Sequence, residues 1–165
     1  QMKTLYIIRH AKSDWAEAGL HDIERPLASR GLRDAPIMAG VLKKRGKIPE
    51  IMVTSPALRA FTTCRIFCEQ LDYDTANIVI QPELYFGEIT LIEKMLQAAF
   101  TETDTVAIFG HNPTFSELAN HFAPEFGGEM PTCAIVAISF DPKQKTSELV
   151  GKGKLLWFEY PKKNR

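Results

Sequence analysis

Short apolar runs alternate along this chain with longer stretches in which apolar residues recur every three or four positions. Runs rich in β-branched and aromatic residues and bounded by turn residues predict strands, whereas the longer periodic stretches predict helices. The predicted strands span residues 3–8, 50–54, 77–81, 105–109, 134–140 and 154–160, and the predicted helices span residues 29–45, 58–71, 89–100 and 115–122. Strands and helices therefore alternate over most of the chain.

This alternation predicts an α/β fold, a three-layer α/β/α sandwich with a mostly parallel central sheet. Several strands are apolar throughout, which is typical of central strands covered on both faces. The last two strands are joined by the polar segment 141–153, and we expect them to form an antiparallel hairpin at one edge. Residues 2–165 are expected to form a single domain, because a chain of this length buries a full core.

The composition excludes some classes of partner. Lys and Arg together number 20, as do Asp and Glu, so the formal net charge is zero and no overall field favours nucleic acid or an anionic membrane. The chain shows no apolar stretch of about 18 residues and no cleavable leader, which favours a cytoplasmic protein without a membrane span. Its three cysteines lack CxxC spacing, which argues against disulfides and against a thiolate zinc site.

Three predicted strands end close to residues that suit phosphate chemistry. Arg9 and His10 follow the first strand, Arg59 lies one turn into the helix after the second, and Gly110 and His111 follow the fourth. Each of them alone is more often a surface or loop residue. Parallel strands place such ends at one edge of the sheet, however, so we expect these side chains to converge. Guanidinium groups match phosphate oxygens and histidine can act as a nucleophile, which predicts a phosphoryl-transfer site.

Five short motifs carry a resemblance to a known family. They are Arg9-His10-Ala11-Lys12-Ser13, Arg25-Pro26-Leu27, Ser55-Pro56-x-x-Arg59-Ala60, Gly110-His111-Asn112-Pro113 and Pro131-Thr132-x-Ala134. In this order they resemble the histidine phosphatase superfamily, which has the phosphoglycerate mutase-like fold, and within it the SixA-type branch of phosphohistidine phosphatases. The resemblance extends from residue 3 to residue 140 and so covers most of the chain.

The resemblance implies a reaction and a set of site residues. His10 is the implied nucleophile, and the phosphohistidine that it forms is then hydrolysed by water. Arg9, Arg59 and His111 are implied to bind the phosphoryl oxygens, so that catalysis depends on positioning and electrostatics. No metal ion and no other cofactor is expected to take part.

The general acid of this reaction is left open. Larger relatives carry a glutamate after the third strand, where this chain has Glu83 and Glu88. Asp14 and Asp22, in the loop after His10, are the competing candidates. The imidazole of phosphohistidine leaves more easily than an alkoxide and depends less on an acid, because its conjugate acid has a pKa of about 6.5.

The expected function is that of a phosphatase acting on phosphohistidine in a phosphorylated protein. Two alternatives stay open: a small-molecule phosphomonoesterase that takes a small phosphoester, and a non-catalytic phosphate-binding module. A metal hydrolase is disfavoured, because the four histidines, at positions 10, 21, 111 and 121, lack the spacing of a metal site. The short stretch between Arg59 and His111 leaves no room for a large capping insertion, so we expect a shallow site.

Overall fold

The six strands of the computed structural model, which describes residues 2–143 and 148–165, belong to one sheet. The strands are β1 (Lys3–Arg9), β2 (Ile51–Thr54), β3 (Val79–Ile80), β4 (Thr105–Gly110), β5 (Ile135–Phe140) and β6 (Lys154–Glu159). The helices are α1 (Ser29–Arg45), α2 (Leu58–Gln70), α3 (Ile89–Glu102), α4 (Thr114–Phe122) and the short α5 (Pro161–Asn164). Short 3-10 turns include Asp22–Glu24 and Pro82–Leu84. The predicted α/β fold is confirmed.

The order of strands across the sheet is β3-β2-β4-β1-β5-β6. Strands β1 to β4 run parallel to one another, whereas β5 pairs antiparallel with both β1 and β6. The predicted hairpin is therefore present, but its first strand lies inside the sheet, against β1. Residues 144–147 of the predicted connecting segment lie outside the described residues. The third strand is shorter than predicted, because it pairs with β2 only over Val79 and Ile80.

Alternate residues of β1 point to opposite faces of the sheet. Leu5 and Ile7 belong to a buried cluster with residues of α3 and α4, and Tyr6 and Ile8 belong to one with residues of α1 and α2. Helices therefore cover both faces, and the sheet is the middle layer of three. A strand buried on both faces needs apolar residues at every position, which explains the continuous apolar run.

Strand β4 brings the carboxyl ends of its two parallel neighbours together. On one side Arg9 of β1 pairs with Gly110, and on the other Thr54 of β2 pairs with Phe109. The residues that follow these three strands consequently leave the sheet at one edge, as the sequence predicts.

Candidate active site

His10 is the first residue after β1, and it is only 7% exposed. Its ring Nδ1 lies 2.7 Å from the carbonyl oxygen of Ala11. Because a carbonyl oxygen can only accept, the neutral ring carries its proton on Nδ1 and leaves Nε2 unprotonated. Nε2 is therefore the atom that can attack an electrophile.

Backbone hydrogen bonds hold His10 from both neighbouring strands. Its N–H donates to the carbonyl oxygen of Gly110 over 3.0 Å, and its carbonyl oxygen accepts from the N–H of Cys133, also over 3.0 Å. Cys133 is buried and has a φ of +61°, an uncommon conformation for a residue other than glycine. The segment just before β5, which carries the Pro131-Thr132-x-Ala134 motif, thus helps to position the predicted nucleophile.

The buried hydroxyl of Thr63, on α2, links the turn after His10 to the helix that carries Arg59. Thr63 Oγ1 accepts from the N–H of Ala11 at 3.0 Å and donates to the carbonyl oxygen of Arg59 at 2.8 Å. Ala11 in turn accepts from His10. The sequence did not single out Thr63, although it stands one helical turn after Arg59 on the same face of the helix.

His111 follows β4 and is 1% exposed. Its Nε2 lies 2.8 Å from Oγ of Ser55, and the same oxygen accepts from the N–H of Ala57. Its Nδ1 is buried and has no hydrogen-bond partner among the described residues. The ring centroid lies 5.2 Å from that of His10. A buried ring nitrogen without a partner lowers stability unless a ligand satisfies it.

Arg9, the last residue of β1, keeps part of its hydrogen-bonding capacity free. One terminal NH2 group donates to the carbonyl oxygen of Met130 at 3.0 Å, while Nε is buried without a partner in the described part of the chain. Burial lowers the pKa of Arg9; the charge of Glu129 opposes this, and the positive charge of Arg59 adds to it. The two arginines are thus close enough to repel each other, an arrangement that an anion stabilises.

Arg59 is buried, and it is engaged in this structure by Asp22. Helix α2 begins at Leu58, so Arg59 is its second residue. The prediction that Arg59 lies one turn into the helix is wrong. Its guanidinium donates to the carbonyl oxygen of Asp22 at 2.7 Å and to carboxylate Oδ2 of the same residue at 3.0 Å. The loop after His10 therefore reaches across the site to the predicted phosphate-binding arginine.

Both site histidines are neutral at physiological pH. Burial is the main cause that lowers the pKa of His10 to about 4, and the charges of Arg59 and Arg9 lower it further. Burial likewise lowers the pKa of His111 to about 3, and the same two arginines contribute. A neutral His10 retains the lone pair that a nucleophile requires.

Asp22 is the candidate acid that lies in the site. Its Oδ2 accepts from Arg59 and, at 2.7 Å, from the hydroxyl of Tyr85. Partial burial raises the pKa of Asp22, but the hydrogen bonds from Tyr85 and Arg59 and the charge of Arg59 outweigh it, so the pKa lies below its usual range. Asp22 is therefore ionised at neutral pH.

The structure places the other three candidate acids elsewhere. Asp14 accepts from the N–H of Ala16 at 2.8 Å in a local turn. Glu83 lines an apolar groove between the β2–β3 edge and α3, where its Oε2 is buried without a partner in the described structure. Glu88 is exposed and precedes α3. In the described part of the chain, none of the three is bonded to a predicted phosphate-binding residue.

Two aromatic residues that the sequence did not single out cover His111. Tyr85 and Phe86 follow the turn Pro82–Leu84, and their ring centroids lie 5.4 Å and 4.9 Å from that of His111. The available signal was their place two and three residues after Glu83, in the loop that also holds the candidate acid Glu88.

The remaining histidines and the cysteines lie outside this constellation. His21 precedes the turn that begins with Asp22, and His121 is exposed on α4. Over residues 2–143 and 148–165, no group of three His, Cys, Asp or Glu side chains is placed so that it could hold a metal ion. The three cysteines are buried and free. No described helix combines the length and the apolar character needed to cross a membrane.

The family model of the histidine phosphatase superfamily (branch 1) matches residues 5–97, which are more than half of the chain. Phosphohistidine phosphatase SixA of Escherichia coli (strain K12) is 29% identical over 142 residues, which cover 83% of this chain and 85% of that protein. An uncharacterized chloroplastic protein of Arabidopsis thaliana is 29% identical over 126 residues, which cover 72% of this chain. The chain spans only 58% of the length of that plant protein.

Likeness to a solved structure extends over almost the whole chain. The structure of the protein histidine phosphatase SixA complexed with tungstate matches with a TM-score of 0.83 and 28% sequence identity, covering 98% of this chain and 99% of that one. The fold, the order of the motifs and the family model agree. The chain belongs to the histidine phosphatase superfamily (branch 1), and within it to the SixA-type phosphatases.

Proposed function

We propose that this phosphatase acts through His10 as nucleophile and that its substrate is phosphohistidine on another protein. One observation carries the proposal: Arg9 Nε and His111 Nδ1, two buried nitrogen atoms around His10, have no partner in the described structure. Buried nitrogen atoms of this kind normally have an acceptor. A phosphoryl group supplies acceptor oxygens for both and the negative charge that Arg9 and Arg59 favour.

The proposed reaction has two displacement steps. In the first, the lone pair of His10 Nε2 forms a bond to phosphorus while the bond from phosphorus to the leaving group breaks. The hydrogen bond from Nδ1 to Ala11 stabilises the positive charge that the ring gains. In the second step water attacks phosphorus, the electrons of the P–N bond return to Nε2, and inorganic phosphate leaves.

Three side chains are proposed to hold the phosphoryl oxygens during both steps. When Ser55 donates to His111 Nε2, the neutral ring carries its proton on Nδ1, the atom that lacks a partner. His111 then acts as a neutral donor beside the charged Arg9 and Arg59. Donors that are positioned before the substrate arrives stabilise the charge of the transition state without reorganisation.

Asp22 is the acid that we propose among the four candidates. Its carboxylate accepts a hydrogen bond from Arg59, whose guanidinium is proposed to bind the phosphoryl group. A bound phosphoryl group therefore shares or displaces this contact. A second anion beside Asp22 also raises its pKa, which favours the protonated form that donates to the leaving group.

Phosphohistidine is a substrate whose turnover depends little on how far Asp22 is protonated. The imidazole leaving group has a conjugate acid with a pKa of about 6.5, so it needs less protonation than an alkoxide does. The names of two relatives support this substrate, a phosphohistidine phosphatase of E. coli and a solved protein histidine phosphatase. The tungstate in the second structure supports an oxyanion site.

The test compares turnover of a phosphohistidine-bearing protein and of an alkyl phosphate, with and without EDTA. We expect the wild type to prefer phosphohistidine, to be insensitive to EDTA, and to lose at least about 10³-fold in kcat when His10→Ala is made. The matched control is His121→Ala, which removes an exposed histidine from α4 and should retain activity.

Three results would contradict the proposal. Wild type and His10→Ala that are equally inert while still binding phosphate would indicate a binding module. A strong preference for the alkyl ester would indicate a small-molecule phosphomonoesterase. Alkaline quenching that traps no phosphate on His10 during turnover would exclude the covalent intermediate.

A further inference from the structure

Phe86 presents an apolar surface beside the predicted phosphate site. Its ring centroid lies 4.9 Å from that of His111, with 32° between the two ring planes, yet the residue is 50% exposed. One side of the ring therefore covers His111, and much of the rest of its surface is free to contact a ligand.

The surrounding structure holds Phe86 in a backbone conformation that bulky residues disfavour. Its φ is +57°, a left-handed conformation that is an outlier for a bulky residue. The preceding residue, Tyr85, is held by its backbone and by its side chain. Its N–H donates to the carbonyl oxygen of Pro82, and its hydroxyl donates to the carboxylate of Asp22. The following N–H, that of Gly87, donates to the carbonyl oxygen of Glu83. Such conformations persist where the surrounding structure imposes them, often at ligand sites.

The distance from His111 places Phe86 within reach of whatever is attached to the phosphoryl group. In the proposed function His111 Nδ1 binds a phosphoryl oxygen, so the leaving group begins only one or two bonds from that oxygen. Aromatic rings stack at centroid separations of about 4.5–7 Å, and a planar ring gains more from this contact than an aliphatic chain does.

We propose that Phe86 is a specificity-determining residue that stacks on a planar aromatic leaving group. The proposal rests on the proposed function and deepens it, because the imidazole of phosphohistidine and the ring of an aryl phosphate share this chemistry. The Tyr85 ring packs beside it, with its centroid 5.0 Å from that of Phe86 and 53° between the ring planes. An alkyl phosphate has no ring for this surface to contact.

The test measures binding of phenylphosphonate and methylphosphonate, which are not hydrolysed, to the wild type, Phe86→Trp and Phe86→Leu. We expect the wild type and Phe86→Trp to bind the phenyl compound about 3–10-fold more tightly than the methyl compound. Phe86→Leu should lose that preference while its affinity for methylphosphonate stays within about twofold. Leu91→Ala is the control, because Leu91 is also about half exposed but lies on α3.

A kinetic comparison separates the two kinds of ring. Phosphoimidazole and phosphoramidate both contain a P–N bond, but only the first has a ring, and phenyl phosphate and methyl phosphate form the matching ester pair. Phe86→Leu should lower kcat/KM for the aromatic member of a pair about 3–10-fold more than for the other. A discrimination confined to the P–N pair identifies imidazole, and one confined to the ester pair identifies an aryl group.

Several results would overturn the role of Phe86. Equal losses on both phosphonates would show that the ring only covers His111, and unchanged discrimination would show that it contacts no leaving group. A wild type that binds neither phosphonate would also refute it. Failure of the proposed function gives a different result. A protein that hydrolyses no phosphate, but whose wild type prefers phenylphosphonate and whose Phe86→Leu variant does not, would refute the proposed function and support the role of Phe86.

Discussion

The hydroxyl of Thr63 accepts a hydrogen bond of 3.0 Å from the backbone N–H of Ala11. The same hydroxyl donates to the carbonyl oxygen of Arg59, on the preceding turn of α2. Ala11 orients the His10 ring, and Arg59 is a predicted phosphate-binding residue. One buried side chain therefore sets the position of the nucleophile relative to the helix that carries its phosphate-binding partner.

Thr63→Val should reduce activity through this contact. Valine keeps the shape of threonine but leaves the buried N–H of Ala11 unsatisfied, which costs about 1–3 kcal/mol of stability. We expect kcat to fall about 10–100-fold, because a small displacement of a reacting group lowers the rate steeply. The measurements are steady-state kinetics and urea unfolding, and Thr63→Ser, which retains the hydroxyl, should restore most of kcat. A variant that is less stable but turns over at the wild-type kcat would show that the hydroxyl is only structural.

Asp22→Asn should separate substrates by leaving group. We expect kcat/KM for an alkyl phosphate to fall about 10–100-fold, because an alkoxide needs a proton donor, and that for phosphohistidine to change less than about threefold. Inorganic phosphate should inhibit the variant more tightly, because the anion that competes for Arg59 is gone. Glu24→Gln, in the same turn and exposed, is the control. Equal losses on both substrates would argue against Asp22 as the acid.

Two glycines of α1 should respond in opposite ways to alanine. A Cβ on Gly31 would overlap the carbonyl oxygen of Lys12, in the segment that follows His10, whereas a Cβ on Gly40 would meet nothing within 4 Å. Gly40→Ala should stabilise the protein by about 0.5–1 kcal/mol and leave kcat unchanged. Gly31→Ala should destabilise it by about 1–3 kcal/mol and lower kcat/KM. Thermal unfolding and kinetics check this, and a Gly31→Ala protein with unaltered kcat/KM would contradict it.

The tautomer and charge of His10 can be observed directly. Burial above all lowers the pKa of His10 to about 4, and its Nδ1 is bonded to Ala11, so the folded protein should show a neutral ring protonated on Nδ1 at pH 5. NMR of the ring ¹⁵N nuclei between pH 8 and pH 4 measures this. The urea-unfolded protein is the reference, in which the ring should titrate near pH 6.5. A folded-state midpoint near 6.5 would be incompatible with this desolvated site.

The same depressed pKa values make stability depend on pH. Below pH 6.5 the unfolded chain binds protons on His10 and His111 that the folded protein does not bind until about pH 4 and about pH 3. The free energy of unfolding should therefore fall as the pH drops from about 6.5 to about 4, by up to about 1.4 kcal/mol per pH unit for each ring. Urea titrations at several pH values measure the slope. His10→Gln, which cannot titrate, should show a shallower slope than the wild type.

Local sequence patterns were enough to predict most of the strands and helices of the fold. The apolar run of β1, the helical periodicity of α1 and the turn residues between elements depend only on residues close in sequence, and the structure has these elements near the predicted bounds. The edge strand departs most, because the length of β3 depends on how far β2 pairs with it. The antiparallel place of β5 next to β1 also depends on pairing between distant segments, which local sequence does not encode.

For the site, the sequence by itself determined the residue types at the strand ends and, through their order, the family. Arg9, His10 and His111 could be predicted to converge because parallel strands end at a common edge. Tertiary structure alone decided which carboxylate meets Arg59: Asp22 lies 37 residues before it in the chain. It also placed Phe86 against His111. The physical reason is that such contacts depend on how loops pack over the sheet, and each loop is compatible locally with many other arrangements.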